Sequence, residues 1–476
     1  MADKDSGKEL AWYSGISKYQ WLVLLIASLG WVFDIFEGQI FVASMRDAMP
    51  HLLGVASADN PEVAAWSNYS FASFLLGGAV GGVLFGVMSD RIGRSKTLIF
   101  TILFYSVFTS VTALATEAWH MVVLRFLVAM GVGGEWAVAS AMVAEVMPKR
   151  SRPVMSSIFH ASSVFGTLLA AAVGYFILSA KPWGESTWKL GFLIGVLPAL
   201  LTLWIRWKLH EPERWQKAKE LEAEDDSQAT GRLSELFAPE NVRGTLLGVA
   251  LATIGLVTFW GCHIYGKNAL MRAAQAEALI SENIPQASPK QLSDENATVF
   301  GARKDKWKQE KKQALDKHSK PIKKAEMLSM TLNTIGGGLG LVLFGSISTR
   351  LGRRGAFMLY HLGAFVMALL MFMVLIPRGA STTTLSVALP IFGFLTLGMH
   401  AGYAVYFPEL YPTRLRGTGT GFCFNMGRVG SAIYLFIVAK LGWQADQAAL
   451  YMAPVFLIGV WIAYLAPETK GQDLPE

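Results

Sequence analysis

Charge is scarce in this chain. Only 16% of its 476 residues are Asp, Glu, Lys or Arg, where a soluble domain carries about a quarter. That excludes an ordinary soluble enzyme, and a 53% hydrophobic content excludes a disordered or fibrous chain. Cysteine is scarcer still. Cys262 and Cys423 both sit in apolar stretches, with no Cys-x-x-Cys and no His at ligand spacing. A disulfide framework and a zinc site are therefore not expected, no metal site is read, and both thiols are expected to be packed. Neither a Walker A loop nor a nucleophile–base motif is present, so catalytic residues and ATP-driven transport are not expected. What is abundant is apolar: mean hydropathy is +0.38. The chain reads as a polytopic membrane protein.

The net charge of +7 is local. Residues 267–324 hold 13 Lys/Arg against 7 Asp/Glu, which accounts for six of the seven charges. A basic balance confined to one segment gives no reason to expect a nucleic-acid partner.

A bilayer core needs about 20 apolar residues per helix. Twelve such runs occur, numbered here as spans 1 to 12: 20–45, 64–88, 97–116, 119–146, 154–179, 188–209, 244–266, 326–348, 355–377, 384–407, 417–440 and 447–466. The first 19 residues are polar, and the apolar run after them is too long for a signal-peptide core, so span 1 is expected to be its own insertion signal. Arg91, Arg94 and Lys96 follow span 2; Lys149, Arg150 and Arg152 follow span 4; Arg350, Arg353 and Arg354 follow span 8; Arg414 and Arg416 follow span 10. Alternate loops are poorer in Lys and Arg. Even-numbered spans are therefore expected to end, and both termini to lie, on the cytoplasmic side of a plasma (inner) membrane.

The chain divides as 1–209, a first six-helix bundle; 210–242, a polar cytoplasmic linker; and 243–476, a second bundle with the basic insert 267–324 outside. Within that insert 303–326 is charged throughout and predicts a solvated helix. The halves repeat. Gly86-x-x-x-Asp90-Arg91-x-Gly93-Arg94 returns 259 residues on as Gly345-x-x-x-Thr349-Arg350-x-Gly352-Arg353. Glu145-x-x-Pro148 returns 264 on as Glu409-x-x-Pro412, and Pro212-Glu213 returns 255 on as Pro467-Glu468. Parallel repeats about an axis along the membrane normal, with a cavity between the halves, follow from this order.

These motifs resemble the major facilitator superfamily over nearly the whole chain outside the insert. Gly86 to Lys96 is similar to its signature loop. Arg125, Gly131, Gly133, Glu145 and Pro148, with Pro212-Glu213-Arg214-Trp215 and Pro467-Glu468-Thr469-Lys470-Gly471, resemble its sugar-porter branch. The resemblance implies an all-α fold of twelve transmembrane helices in two pseudo-symmetric six-helix bundles around a central cavity, alternating access, and a functional monomer in the lipid bilayer. Asp90 has the chemistry to pair with an arginine or to cap a neighbouring helix. Glu145, Glu213, Glu409 and Glu468, beside Arg91, Arg94, Arg350, Arg353, Arg414 and Arg416, are expected to latch the halves at the cytoplasmic end.

Charges lie well inside the first-half spans: Asp34 and Glu37 in span 1, Arg125 and Glu135 in span 4. Charge at membrane depth is costly, so each faces a cavity or a partner. Asp34 and Glu37, three apart, share a helix face. The sugar-porter resemblance implies a pair of Asp34 with Arg125, with Asp34 accepting a proton. Gly133-Gly134-Glu135-Trp136 resembles metabolite and sialate symporters, and Asp34-x-x-Glu37 resembles the Asp-x-x-Asp of aromatic-acid symporters. Glu37 and Glu135 are each open to a proton, a substrate or a structural role. The expected energy source is the proton gradient, with no cofactor.

For the substrate, the sugar-porter pattern is broken. The paired Gln of its seventh span is missing, and its Gln in span 5 and Trp in span 10 align with His160 and Ala404. His160, His263, Asn333, His400, Tyr403, Asn425 and Arg428 are the candidate small-molecule contacts, and their cationic groups suit a carboxylate. A small organic anion is therefore expected; the alternatives are a sugar–proton symporter and a receptor on the same fold that moves nothing.

Overall fold

The computed structural model describes residues 11–55, 60–178, 180, 182–284, 297–441 and 445–476. The polar terminus expected over residues 1–10 lies outside these, as does 285–296 of the insert. Nine stretches among the described residues are long and apolar enough to cross a bilayer. One of them, Ser319–Leu375, contains two spans separated by a bend at Gly352. Span 6, divided into Trp188–Ile194 and Leu197–Lys208, and span 11, Arg416–Leu441, complete the twelve. The chain is thus an all-α membrane protein.

Several spans begin where the sequence supplies caps. Ser17 and Gln20 form a capping box before span 1, Lys18–Leu53. Asn60, with Pro61 at the first helical position, starts span 2, Pro61–Ile92. Span 3 is Arg94–Thr112 and span 4 is Ala118–Val146. Span 5 joins Arg152–Ala161 to Ser163–Val173. Span 7 runs from Val242–Thr258 into a π-helical turn, Phe259–His263. Span 8 occupies 319–351 and span 9 starts at 353. Span 10 is Thr382–Gly398 followed by Ala401–Tyr406, and span 12 is Ala445–Leu465.

The sequence-derived limits are met within a few residues at most ends. Span 1 runs eight residues further, to Leu53. The insert differs more. Residues 303–326 are not one solvated helix: Ala297–Lys317 ends at His318, and a new helix from Ser319 continues directly into span 8. A second insert helix, Ala269–Ser281, packs on spans 8 and 10 and buries Leu270 and Leu279.

Lipid offers no hydrophobic drive for helix association, so close packing of small residues takes over. Span 2 packs on span 4 with Gly77 and Gly81 against the carbonyls of Phe126 and Met130. Span 8 packs on span 10 the same way, with Gly336 and Gly340 against Pro390 and Phe394. The halves meet through two equivalent pairs: spans 2 and 11, where Gly86 lies on Gly417, and spans 8 and 5, where Gly345 lies on Pro153. The sequence repeat is therefore also a repeat of packing.

Candidate functional site

One end of the molecule is closed by ion pairs. Gly93 (φ +114°) and Gly352 (φ +82°) make matching bends after spans 2 and 8, conformations that a side chain disfavours. The first bend buries Arg94 beneath span 4, where Nη2 and Nε donate to the two oxygens of Glu145 at 2.8 and 3.4 Å and Nη1 donates to Asp90 at 2.6 Å. The second bend repeats this: Arg353 Nη2 and Nε donate to Glu409 at 2.7 and 2.9 Å. Such forked geometry is what lets buried charges offset their desolvation.

The cross-half contacts are less symmetric. Asp90 accepts from the backbone N–H groups of Gly417 and Thr418, at 3.0 and 2.7 Å, and from the Thr418 hydroxyl at 2.6 Å. It therefore does both things its chemistry allows, pairing with Arg94 and capping span 11. Arg416 Nη1 donates to Glu145 across the interface at 3.0 Å. In the second half Thr349 replaces Asp90, and Pro153, in the first turn of span 5, has no N–H to offer. The halves are thus tied mainly through span 11.

Several expected latch residues are placed differently, and the Arg353–Glu409 pair lies wholly within the second half instead of joining the halves. Glu213 is exposed and forms no ion pair among the described residues. The matching position belongs to Glu211, which accepts from the backbone N–H of Arg94, Ser95 and Lys96 at 2.6, 3.2 and 3.3 Å. Glu468 does the same for Arg353 and Arg354 at 2.9 and 3.2 Å. The shared Pro-Glu spelling misaligned the halves by two residues. The signal was the start of span 3: Gly93 supplies no side-chain cap, so a carboxylate had to come from elsewhere. Arg91 and Arg350 are exposed and form no ion pair among the described residues. Arg414 pairs with Glu235 of the linker.

Midway along the interface the picture changes. Asp34, Glu37, Arg125 and Glu135 are all buried. The implied Asp34–Arg125 pair is absent. Arg125 Nη1 pairs instead with Glu37, and Nη2 donates to Thr112 Oγ1 at 3.1 Å. The guanidinium carbon lies 4.9 and 5.1 Å from the ring centres of Phe41 and Phe192. Glu37, one helical turn beyond Asp34, takes the arginine. Asp34 faces Glu135 and, from span 11, Arg428. Both oxygens of Asp34 and of Glu135 lack a hydrogen-bond donor, as Arg428 Nη1 lacks an acceptor. The close fit is built by glycine: a Cβ at Gly30 would collide with Glu135 Oε1, and one at Gly78 with Arg428 Nη1.

The other substrate candidates divide. His263 is committed within the second half: Nδ1 bonds Thr396 at 2.7 Å, Nε2 bonds Asn333 at 3.2 Å, and Phe259 and Phe392 stack on its faces. His263 thus has no ring nitrogen left for a ligand, though Asn333 keeps an open oxygen. Tyr403 donates to Leu251 O at 3.2 Å. His160 Nδ1 bonds the Trp136 indole at 3.1 Å. His400, Asn425 and Arg428 each retain a buried polar atom without a partner. Sequence reasoning missed the aromatic contact beside them, Trp136 stacked on Phe424 across the halves at 3.8 Å.

Two pseudo-symmetric bundles with buried charge at their interface define a membrane transporter of the major facilitator superfamily, not an enzyme. The chain belongs to the sugar (and other) transporter family, whose pattern matches residues 22–258 and 342–476. It is 25% identical to the probable 4-methylmuconolactone transporter of Cupriavidus pinatubonensis, over 97% of this chain and 94% of that one. It is 24% identical to the sialic acid transporter NanX of Escherichia coli, over 94% and 91%. Among solved structures it resembles the proton:xylose symporter XylE, with a TM-score of 0.67 at 17% identity over 96% of this chain and 98% of that one; this supports the fold of twelve spans around a central cavity.

Proposed function

We propose that this transporter is a proton symporter of a small organic anion, working by alternating access in the inner membrane with both termini in the cytoplasm. The observation that carries the reading is the unpartnered cluster of Asp34, Glu135 and Arg428 between the halves. Buried polar groups are normally satisfied, and those left open at a bundle interface await a ligand. A carboxyl pair holds a proton, and an arginine holds an anion. The Arg-rich loops support an orientation with the ion-paired end inside, in which these ion pairs close the cytoplasmic gate. A relative named for sialic acid, itself a carboxylate, supports the anion. An anion entering against the membrane potential costs about 2.3 kcal/mol per charge at 100 mV, which a co-transported proton offsets.

The test is uptake into proteoliposomes of three probes: sialic acid, benzoate and xylose. An inward proton gradient should concentrate a carboxylate, and an uncoupler should abolish it. Asp34→Asn should lose this accumulation while carboxylate exchange persists; full uphill transport by that variant would remove Asp34 from the coupling. Accumulation of xylose and of neither acid would replace the anion with a sugar.

A further inference from the structure

The charges at the centre of the interface do not balance. Asp34 of span 1 and Glu135 of span 4 lie together, and Arg428 of span 11 is the cation that faces Asp34, without an ion pair to either carboxyl. The surrounding groups add no further unpaired carboxylate. Glu37 and Arg125 neutralise each other. Tyr105 of span 3 brings a neutral hydroxyl. His160 of span 5 and His400 of span 10 hold Trp136 and Leu397 O through Nδ1. With both carboxyls ionised, the Asp34–Glu135–Arg428 cluster carries one uncompensated negative charge at membrane depth, which is strongly unfavourable. One proton on the carboxyl pair makes it neutral.

Arg428 is placed to exchange partners. It stands on span 11, opposite the two carboxyls of the first half, and its Nη1 rests against the bare backbone of Gly78 without an acceptor. We infer that Asp34 and the carboxylate of the transported molecule are alternative counterions of Arg428, so that the empty site holds one proton on the Asp34–Glu135 pair and the occupied site holds two. The inference rests on the anion-symport reading and gives it a stoichiometry. Each monocarboxylate brings one negative charge and requires one further proton, which binds the remaining carboxylate once the arginine's charge is balanced by the substrate. The loaded carrier then crosses with no net charge gained, and no electron or covalent bond is involved.

Infrared spectroscopy of the purified, lipid-embedded protein tests this without any ligand. At neutral pH the empty wild type should show one protonated carboxyl band that Glu135→Gln or Asp34→Asn alters. Arg428→Gln, lacking the counterion, should show about twice that band intensity, and Arg428→Lys should restore the single band. An unchanged band in a folded Arg428→Gln overturns the inference, and so does loss of the single band in Arg428→Lys. Transport supplies the second arm, with sialic acid and benzoate as probes. Uptake driven by the pH gradient should be indifferent to a potassium–valinomycin potential and carry one proton per benzoate. Proton-driven uptake that also responds to the potential overturns the one-to-one exchange while leaving symport intact. Uptake of xylose alone overturns the anion reading as well.

Discussion

Two charge clusters at the interface of the halves are differently finished. At the ion-paired end, Arg94, Glu145, Asp90 and Arg416 use their polar atoms on one another and on the start of span 11. Halfway along the same interface, Asp34, Glu135 and Arg428 leave polar atoms bare. A saturated network has one favoured arrangement and serves to hold. An unsaturated one has several arrangements of similar energy and serves to bind and release. Burial alone does not separate the two; hydrogen-bond completion does.

The contrast is broken most directly at Glu145. Glu145→Gln leaves Arg94 and Arg416 buried with their shared carboxylate gone, and breaking a buried pair costs about 3–5 kcal/mol. The expected result is a large drop in melting temperature, or accessibility of the closed end to a thiol reagent placed there. Asp34→Asn, equally buried, should lower the melting temperature far less, because Asp34 forms no ion pair with an arginine. Equal destabilisation by the two variants would erase the distinction between latch and site.

A smaller effect separates the halves of the latch. Asp90→Asn weakens a charged cap on span 11, an interaction worth about 1–2 kcal/mol, whereas Thr349→Ala removes no cross-half cap. Asp90→Asn should shift the carrier toward opening at this end, read by spin-label distances between spans 2 and 11. Thr349→Ala should shift it little between spans 5 and 8. Equal shifts would mean that the closure is symmetric despite its chemistry.

Much of this was legible beforehand, for definite reasons. Lipid demands long apolar helices, so the span limits follow from composition. Arg94 with Glu145 and Arg353 with Glu409 follow from duplication, since two copies of one motif order at nearly constant offset meet in the same way. The partner of Arg125 was not legible. Asp34 and Glu37 share a face one turn apart, and the choice between them depends on the relative depth of spans 1 and 4, which periodicity does not encode. Glu211 was hidden by a repeated Pro-Glu that is spelled alike and used differently. Glu211→Ala should destabilise the start of span 3 by about 0.5–2 kcal/mol, measured by hydrogen exchange at Ser95 and Lys96. Glu213→Ala should change nothing there, and the reverse outcome would restore the sequence register.

The smallest effect lies outside the spans, in the insert. Glu282, at the end of Ala269–Ser281, meets Lys317 Nζ at 2.8 Å and His318 Nε2 at 2.9 Å. The Lys317 contact, then that of His318, holds its carboxyl below the usual glutamate value. A depressed carboxyl stabilises the fold above its unfolded pKa, about 4.3, and loses that contribution as pH falls through the lower folded value. Hydrogen exchange in Ala269–Ser281 should therefore quicken slightly below about pH 4 and be flat from pH 5 to 8. Glu282→Gln should remove the acid step and leave proton-driven transport unchanged. A transport defect in that folded variant would tie the insert to the central site, and the contrast between a finished latch and an unfinished site would then need a third, external element.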